Sequence, residues 1–290
     1  MGGRVLFYAA SARADKGSET LTKYGMQESG RRMSKDRSSI LSGNGAGSMD
    51  EGVLHLRELI EKSQRIVFFG GAGVSTESGI PDFRSAHGIY AGAQGKSYEE
   101  MLSHGYFMRH TEAFWRFYKN VMLYPDALPN DAHRVLAMLE HEGKLKAVIT
   151  QNIDGLHQLS GSRNVLELHG TVHRNFCMRC GAEYGLSDVL SQEDVPVCGS
   201  CAGMLKPDVV LYGEQLDTDV LEEAIRQIEM CDLLIVGGTS LMVHPAAGLI
   251  NYRRRGVPLV LMNRDQTPYD DRADLILRGN IAQVLKEAVE

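Results

Sequence analysis

Ile66-Val67-Phe68-Phe69-Gly70-Gly71-Ala72-Gly73-Val74-Ser75-Thr76 is the stretch that decides the fold. Its first four residues are β-branched or aromatic, with no polar alternate, which is how a short strand covered on both faces reads. The run stops at glycines. They permit a tight turn and a close backbone approach to a pyrophosphate, and a helix following the turn would aim its N–H groups at that negative charge. The turn departs from the dinucleotide fingerprint, because Thr76 stands where the third glycine belongs and no acidic residue closes the next strand. A hydride-transferring dehydrogenase is thereby disfavoured.

Outward from this turn, the same strand form recurs at Ala147-Val148-Ile149, Leu233-Leu234-Ile235-Val236 and Leu259-Val260-Leu261. Helical patterns are expected at 132–141, 220–230, 246–254 and 281–289, and upstream Asp50 reads as the N-cap of a helix with Val53, Leu56 and Ile60 on one face. Alternating strand and helix implies an α/β, Rossmann-like domain whose parallel sheet is covered on both faces. Two stretches interrupt the alternation, an aromatic-rich helical one at 85–125 and a cysteine-bearing one at 171–206. Together they are expected to form a smaller lobe, with a ligand cleft beyond the carboxyl ends of the strands. Residues 1–48 are rich in Ser, Gly, Arg and Lys without apolar periodicity, and read as a disordered tail or a start assigned too early. The folded domain is then 49–290.

Composition excludes several classes. The chain has 290 residues, 43% hydrophobic and 23% charged, and a formal net charge of -6, so no overall basic field draws it to nucleic acid or an anionic membrane. No apolar run approaches the ~18–20 residues of a membrane span, and Val5–Ala10 is too short for a secretory signal core. A cytoplasmic protein is the expectation. The five cysteines fall as Cys177-x-x-Cys180, Cys198-x-x-Cys201 and the lone Cys231, which reads as a core residue. The two pairs have the spacing of a tetrahedral zinc site with Gly181 and Gly199 easing the backbone, and four thiolates leave no open position for a reacting water. The metal is therefore expected to be structural. Glu183, Asp188, Glu193 and Asp194 between and beside the pairs would repel phosphates, which argues against a nucleic-acid module.

The turn runs on into Glu77-Ser78-Gly79-Ile80-Pro81-Asp82-Phe83-Arg84. Thr150-Gln151-Asn152-Ile153-Asp154-Gly155-Leu156-His157 follows a strand, and Leu168-His169-Gly170 follows a further apolar run. With the cysteine quartet, Gly238-Thr239-Ser240 and Asn263-Arg264-Asp265, these motifs in this order resemble the sirtuins, NAD-dependent protein-lysine deacylases, over about residues 50–290. The resemblance implies a deacetylase that transfers the acyl group from lysine to ADP-ribose and releases nicotinamide. NAD is the implied co-substrate, structural zinc the implied metal, and acetylated-lysine proteins or peptides the implied partners. Rival readings are mono-ADP-ribosyl transfer onto proteins and a non-catalytic binder of acylated lysine.

The same resemblance assigns roles. Gly71, Ala72, Gly73, Thr76, Asp82 and Arg84 would shape the cofactor loop or touch phosphates and ribose. Phe83 would shield the nicotinamide pocket, although a core aromatic is the plainer reading. Gln151, Asn152, Ile153 and Asp154 would form the nicotinamide side, with Asn152 counted as catalytic and a helix cap the alternative for Asp154. Gly238, Thr239 and Ser240 would meet phosphate or ribose at a helix start, Asn263 the adenosine ribose, and Ile281 the adenine. His169 is the expected general base among ten histidines, with His157 its nearest rival. A substrate peptide would lie as an added strand between Val209, Val210, Leu211, Tyr212, Gly213 and Glu214 on one side and Leu241, Met242 and Val243 on the other; the plainer reading makes both internal strands. Family members that prefer acidic acyl chains carry Tyr-x-x-Arg in the aromatic insertion. Aligned here are Trp115 and Tyr118, without the Arg, so acetyl is expected over succinyl.

Overall fold

A computed structural model describes residues 46–83 and 97–290; most of the expected tail, and Arg84, lie outside the described residues. The opening strand, β1 (Ile66–Gly70), is buried at every position and sits in the middle of a six-stranded sheet. The order is β3-β2-β1-β7-β8-β9, formed by β2 (Leu145–Thr150), β3 (Val165–Glu167), β7 (Leu233–Gly237), β8 (Leu259–Met262) and β9 (Leu275–Leu277). Every pairing in it is parallel. Alternation along the strands separates two cores. Ile66 and Phe68 face α1 (Ala46–Lys62), α5 (Asp131–His141) and α9 (Ile281–Val289), whereas Val67 and Phe69 face α8 (Thr218–Met230) and the 3-10 helix Ala246–Tyr252.

Three local expectations are corrected. The first helix begins at Ala46, so Asp50 lies inside it instead of capping it. The 246–254 segment winds as a 3-10 helix ending at Tyr252, with Gly248 in its interior, where glycine weakens an α-helix. The Gly70–Thr76 turn leads not into an α-helix but into two single 3-10 turns, Ala72–Val74 and Thr76–Ser78, because its backbone is occupied by contacts with the loop after β7.

The interrupting stretches share one core. Helices α2 (Tyr98–Met101), α3 (His104–Arg109) and α4 (Thr111–Phe117) pack with a three-stranded antiparallel sheet of order β5-β4-β6, made of β4 (Gly170–Cys177), β5 (Glu183–Gly185) and β6 (Leu205–Val209). Phe107, Phe114, Trp115 and Tyr118 stack edge-on and face-on at its centre. Two cysteine knuckles close the far end, each by an N–H donated back to its first cysteine, Gly181 to Cys177 and Ala202 to Cys198. Gly181 supplies the left-handed backbone of the first knuckle, and Ala202, not Gly199, supplies it in the second. The Sγ atoms of Cys177 and Cys201 are 3.5 Å apart, those of Cys180 and Cys198 3.6 Å, and all four lie within 4.8 Å of one another. Zinc–sulfur bonds of ~2.3 Å require a tetrahedron edge near ~3.8 Å. Gly203 leaves room for the cluster, since a Cβ there would stand 2.8 Å from the Cys177 sulfur. The Tyr184 hydroxyl donates to Cys198 at 3.1 Å and draws that thiol down to about 6, towards the thiolate a cation needs. The donor set fits zinc.

Two histidines are sealed under α5. His133 and His157 are fully buried with ring centroids 4.7 Å apart. The Asn130 N–H donates to His133 Nδ1 at 3.2 Å, so the ring must keep that nitrogen bare and hold its proton on Nε2. Burial lowers His133 to about 4 and His157 to about 3. An unfolded chain would bind these protons near ~6.5, so the unfolded state takes up more protons in acid. Stability from this pair is therefore complete above ~6.5 and is lost as pH falls through the folded values, at about 1.4 kcal/mol per pH unit for each proton. Urea melts between pH 7 and 5 should show this slope, and His157→Gln should flatten it; an unchanged slope would count against the pair as its source. For the metal cluster, Cys198→Ser should abolish stoichiometric zinc in elemental analysis and lower the thermal midpoint by more than ~10 °C, given the order of ~10 kcal/mol such sites contribute.

Candidate active site

The loops after β1, β2, β7, β8 and β9 meet at the carboxyl edge of the sheet, where parallel α/β sheets place their ligands. They are lashed together by backbone bonds that prolong the ladder: Gln151 N–H to Gly70 O at 3.0 Å, Gly73 N–H to Gly238 O at 2.8 Å, Gly238 N–H to Met262 O at 3.0 Å and Asn263 N–H to Leu277 O at 3.1 Å. Gly71 and Gly73 are needed by this contact. A Cβ on Gly73 would stand 2.7 Å from Gly238 Cα, and one on Gly71 2.9 Å from Gly238 O. Gly238 itself has φ +62, which favours glycine, and a Cβ there would meet the Val74 nitrogen at 2.5 Å.

Between these loops and the small lobe lies a cleft of about 400 Å³. Of the expected cofactor residues, Gly71, Ala72, Gly73, Thr76, Asp82, Phe83, Gln151, Asn152, Ile153, Asp154, Gly238, Thr239, Ser240, Asn263 and Ile281 all line it, together with His169. Phe83 also packs against the small-lobe core, as the plainer reading of it expects. Ile281 is largely interior, at the start of α9. Thr239 and Ser240 sit in a loop, not at a helix start.

Ser75, which sequence reasoning left without a role, organises the β2 side. It is 1% exposed, donates its hydroxyl proton to Asp154 Oδ2 at 2.7 Å, and accepts from Asn152 Nδ2 at 3.0 Å. Asp154 Oδ1 meanwhile accepts from the Leu156 N–H at 2.9 Å, ahead of α6 (Leu156–Leu159). Asp154 is not the N-cap of α6, which is Gly155 without a side-chain cap bond; its Oδ1 holds the first N–H of the helix from one residue further back, and its Oδ2 holds Ser75. Gln151 donates through Nε2 to Thr239 Oγ1 at 3.0 Å, joining the β2 and β7 loops. Asn130 holds the glycine turn from behind by donating to Val74 O at 2.8 Å. Its only sequence signal is that of a helix cap.

His169 precedes β4 and reaches across to β2, with Nδ1 2.9 Å from the Gln151 carbonyl. A carbonyl only accepts, so Nδ1 carries the proton and Nε2 is the bare, basic nitrogen. Burial pushes the ring below the usual histidine range, opposed by the bond to Gln151. His157, its rival, is sealed in the interior.

The peptide expectation is partly corrected. Val209, Val210, Leu211, Tyr212, Gly213 and Glu214 line the cleft, but only Val209 ends a strand; the Val210 N–H donates to the His169 carbonyl at 3.0 Å, Tyr212 makes an isolated parallel bridge with Ser103, and the chain turns at Gly213 and Glu214. On the other side Val243 lines the cleft, whereas Leu241 and Met242 do not. Leu241 is 2% exposed at φ +54, packed into the α8-side core, and Met242 points to solvent at 59% exposure; the segment is a turn, not a strand. Trp115 and Tyr118 are also misplaced by the alignment. Both are 1% exposed in the aromatic core, and the π-helical turn Tyr118–Met122 swings Val121 and Met122 to the cleft instead, with Tyr124 beyond.

Comparison with known proteins agrees with this geometry. The Sir2 family model matches residues 71–245. A Clostridium perfringens protein named NAD-dependent protein deacetylase is 52% identical over 244 residues, covering 83% of this chain and 100% of its own. One of the same name from Clostridium tetani is 55% identical over 239 residues, covering 81% and 96%. Among solved structures, a complex described as Sir2 with p53 peptide and NAD+ superposes with a TM-score of 0.72 at 40% identity, covering 81% of this chain and 96% of that one. The chain belongs to the Sir2 family.

Proposed function

We propose that the protein is an NAD-dependent protein-lysine deacetylase that acts on acetylated-lysine peptides and uses His169 as its general base. The observation that carries the reading is the tautomer forced on His169: with Nδ1–H committed to Gln151 O, Nε2 is left to take a proton in a cleft that the glycine turn also lines. The relatives' shared name supports the same activity.

Bound NAD would supply a ribose activated at the nicotinamide-bearing carbon, to which the acyl group is transferred as nicotinamide departs. This chain's residues do the rest. The loop bearing Gly71, Ala72, Gly73, Thr76 and Asp82, with Gly238, Thr239, Ser240 and Asn263, would hold the dinucleotide, and the close glycine contacts leave a low backbone floor for it. Ile281 would sit by the adenine, and Arg84, outside the described residues, keeps its expected role. Asn152, Ile153 and Asp154 would face the nicotinamide end, held there by Ser75. Phe83 would keep water from the reacting carbon. His169 Nε2 would take the proton of a ribose hydroxyl. Peptide backbone would be received by the 209–214 wall and by Val243, with Leu241 and Met242 offering main chain alone. From the helical insertion the acyl end would meet Val121 and Met122, neither of which can pair with a carboxylate.

His169→Ala should slow formation of deacetylated peptide from NAD and an acetyl-lysine peptide by about 10²–10⁴-fold. Retention of wild-type rates would remove His169 from the mechanism. Because the base works neutral and burial holds it below the ordinary histidine value, the acid limb of kcat/KM should lie below ~6.5. Acetyl-lysine peptides should turn over faster than succinyl-lysine ones, and Val121→Arg should narrow the gap; faster succinyl removal by the wild type would defeat the assignment.

A further inference from the structure

The 209–214 wall rests on a buried cation that the reaction does not use. Lys206 is 8% exposed, on β6. Its ammonium donates to the carbonyls of Pro207 at 3.2 Å and Val209 at 3.1 Å and to Glu214 Oε2 at 3.1 Å, and lies 5.8 Å from the centre of the Phe176 ring. Glu214 Oε2 also accepts the Leu211 N–H at 2.8 Å, while Oε1 meets His104 Nδ1 at 2.8 Å. The Glu214 N–H returns to Leu211 O at 2.9 Å, closing the turn.

A buried ammonium is costly, and an apolar side chain of similar volume would cost less at that place. What the ion pair contributes is geometry. It fixes the main chain at Pro207, Val209 and Leu211, and through His104 it reaches the start of α3, whose backbone N–H also donates to Tyr212 O at 3.0 Å. The same stretch of wall donates from Val210 to the carbonyl of His169. We propose that Lys206, through Glu214, is a positioning residue that holds the peptide-receiving wall in register with His169 and with the helical insertion. This rests on the reading of that wall as the peptide site. Lys206 touches neither substrate nor base in this assignment; it acts through the backbone it ties.

The test uses Lys206→Met and, because a lone Glu214 charge left in place could by itself disturb folding, a second variant, Lys206→Gln, which removes the ammonium but leaves a polar group beside Glu214. Binding of a fluorescent acetyl-lysine peptide is followed by anisotropy, alongside KM for peptide and NAD, kcat and the thermal midpoint. Peptide dissociation constant and peptide KM should rise about tenfold or more in both variants, while kcat and KM for NAD stay within about threefold. If Lys206→Met does not fold, Lys206→Gln decides. Peptide binding within twofold of wild type overturns the proposal. A parallel loss of NAD binding, kcat and thermal midpoint overturns it too, because that is a purely structural effect. A wild type that binds peptide without releasing nicotinamide would sink the deacetylase reading alone, and the anisotropy measurement would still judge Lys206.

Discussion

Backbone against backbone is the constraint on which the site depends. The loop after β1 and the loop after β7 touch through Gly71, Gly73 and Gly238 at distances that admit no side chain. That contact turns what sequence suggests is a helix entry into two tight 3-10 turns. It also explains Thr76 in the place of a third fingerprint glycine: a glycine that lets a long helix pack on its strand has no function where no long helix follows. The threonine instead donates to Gly73 O at 3.1 Å and stiffens the turn.

The fold was legible where hydrophobic pattern and structure obey the same period. β1, β2, β7 and β8 are central strands with apolar residues on both faces, and each announces itself as an unbroken run. β3 and β9, three residues each at the sheet's edges, carry too little pattern to stand out. Among site residues, the cysteine quartet was readable from spacing alone because two knuckles fix it locally. His169 was readable only through its motif, since its partner Gln151 O is a backbone atom of the loop after β2, which no side-chain pattern encodes.

The misreadings have physical causes as well. Trp115 and Tyr118 were placed at the cleft by alignment with the family's Tyr-x-x-Arg pair, whereas both lie in the aromatic core and the π-helical turn that follows α4 carries Val121 and Met122 to the cleft. Leu241 was read as strand, and a left-handed backbone turns its side chain into the interior. Ser75 gave no signal because a buried serine is unremarkable in sequence; its worth comes from a donor and an acceptor arriving from two residues of a distant loop. Asp154 ties two elements with one carboxylate, one oxygen accepting from the Leu156 N–H and the other from the Ser75 hydroxyl.

One strand, β4, has the general-base candidate immediately before its first residue and a cysteine ligand as its last. Its first residue, Gly170, is pressed so closely on the Asp208 carbonyl of β6 that the two strands cannot shift separately there. Slack introduced at the sulfur end would thus have one strand, paired with β6 at both its ends, to cross before it reached the imidazole. A chelating compound screened against this protein would register as an inhibitor, one that added substrate does not overcome, while never entering the cleft.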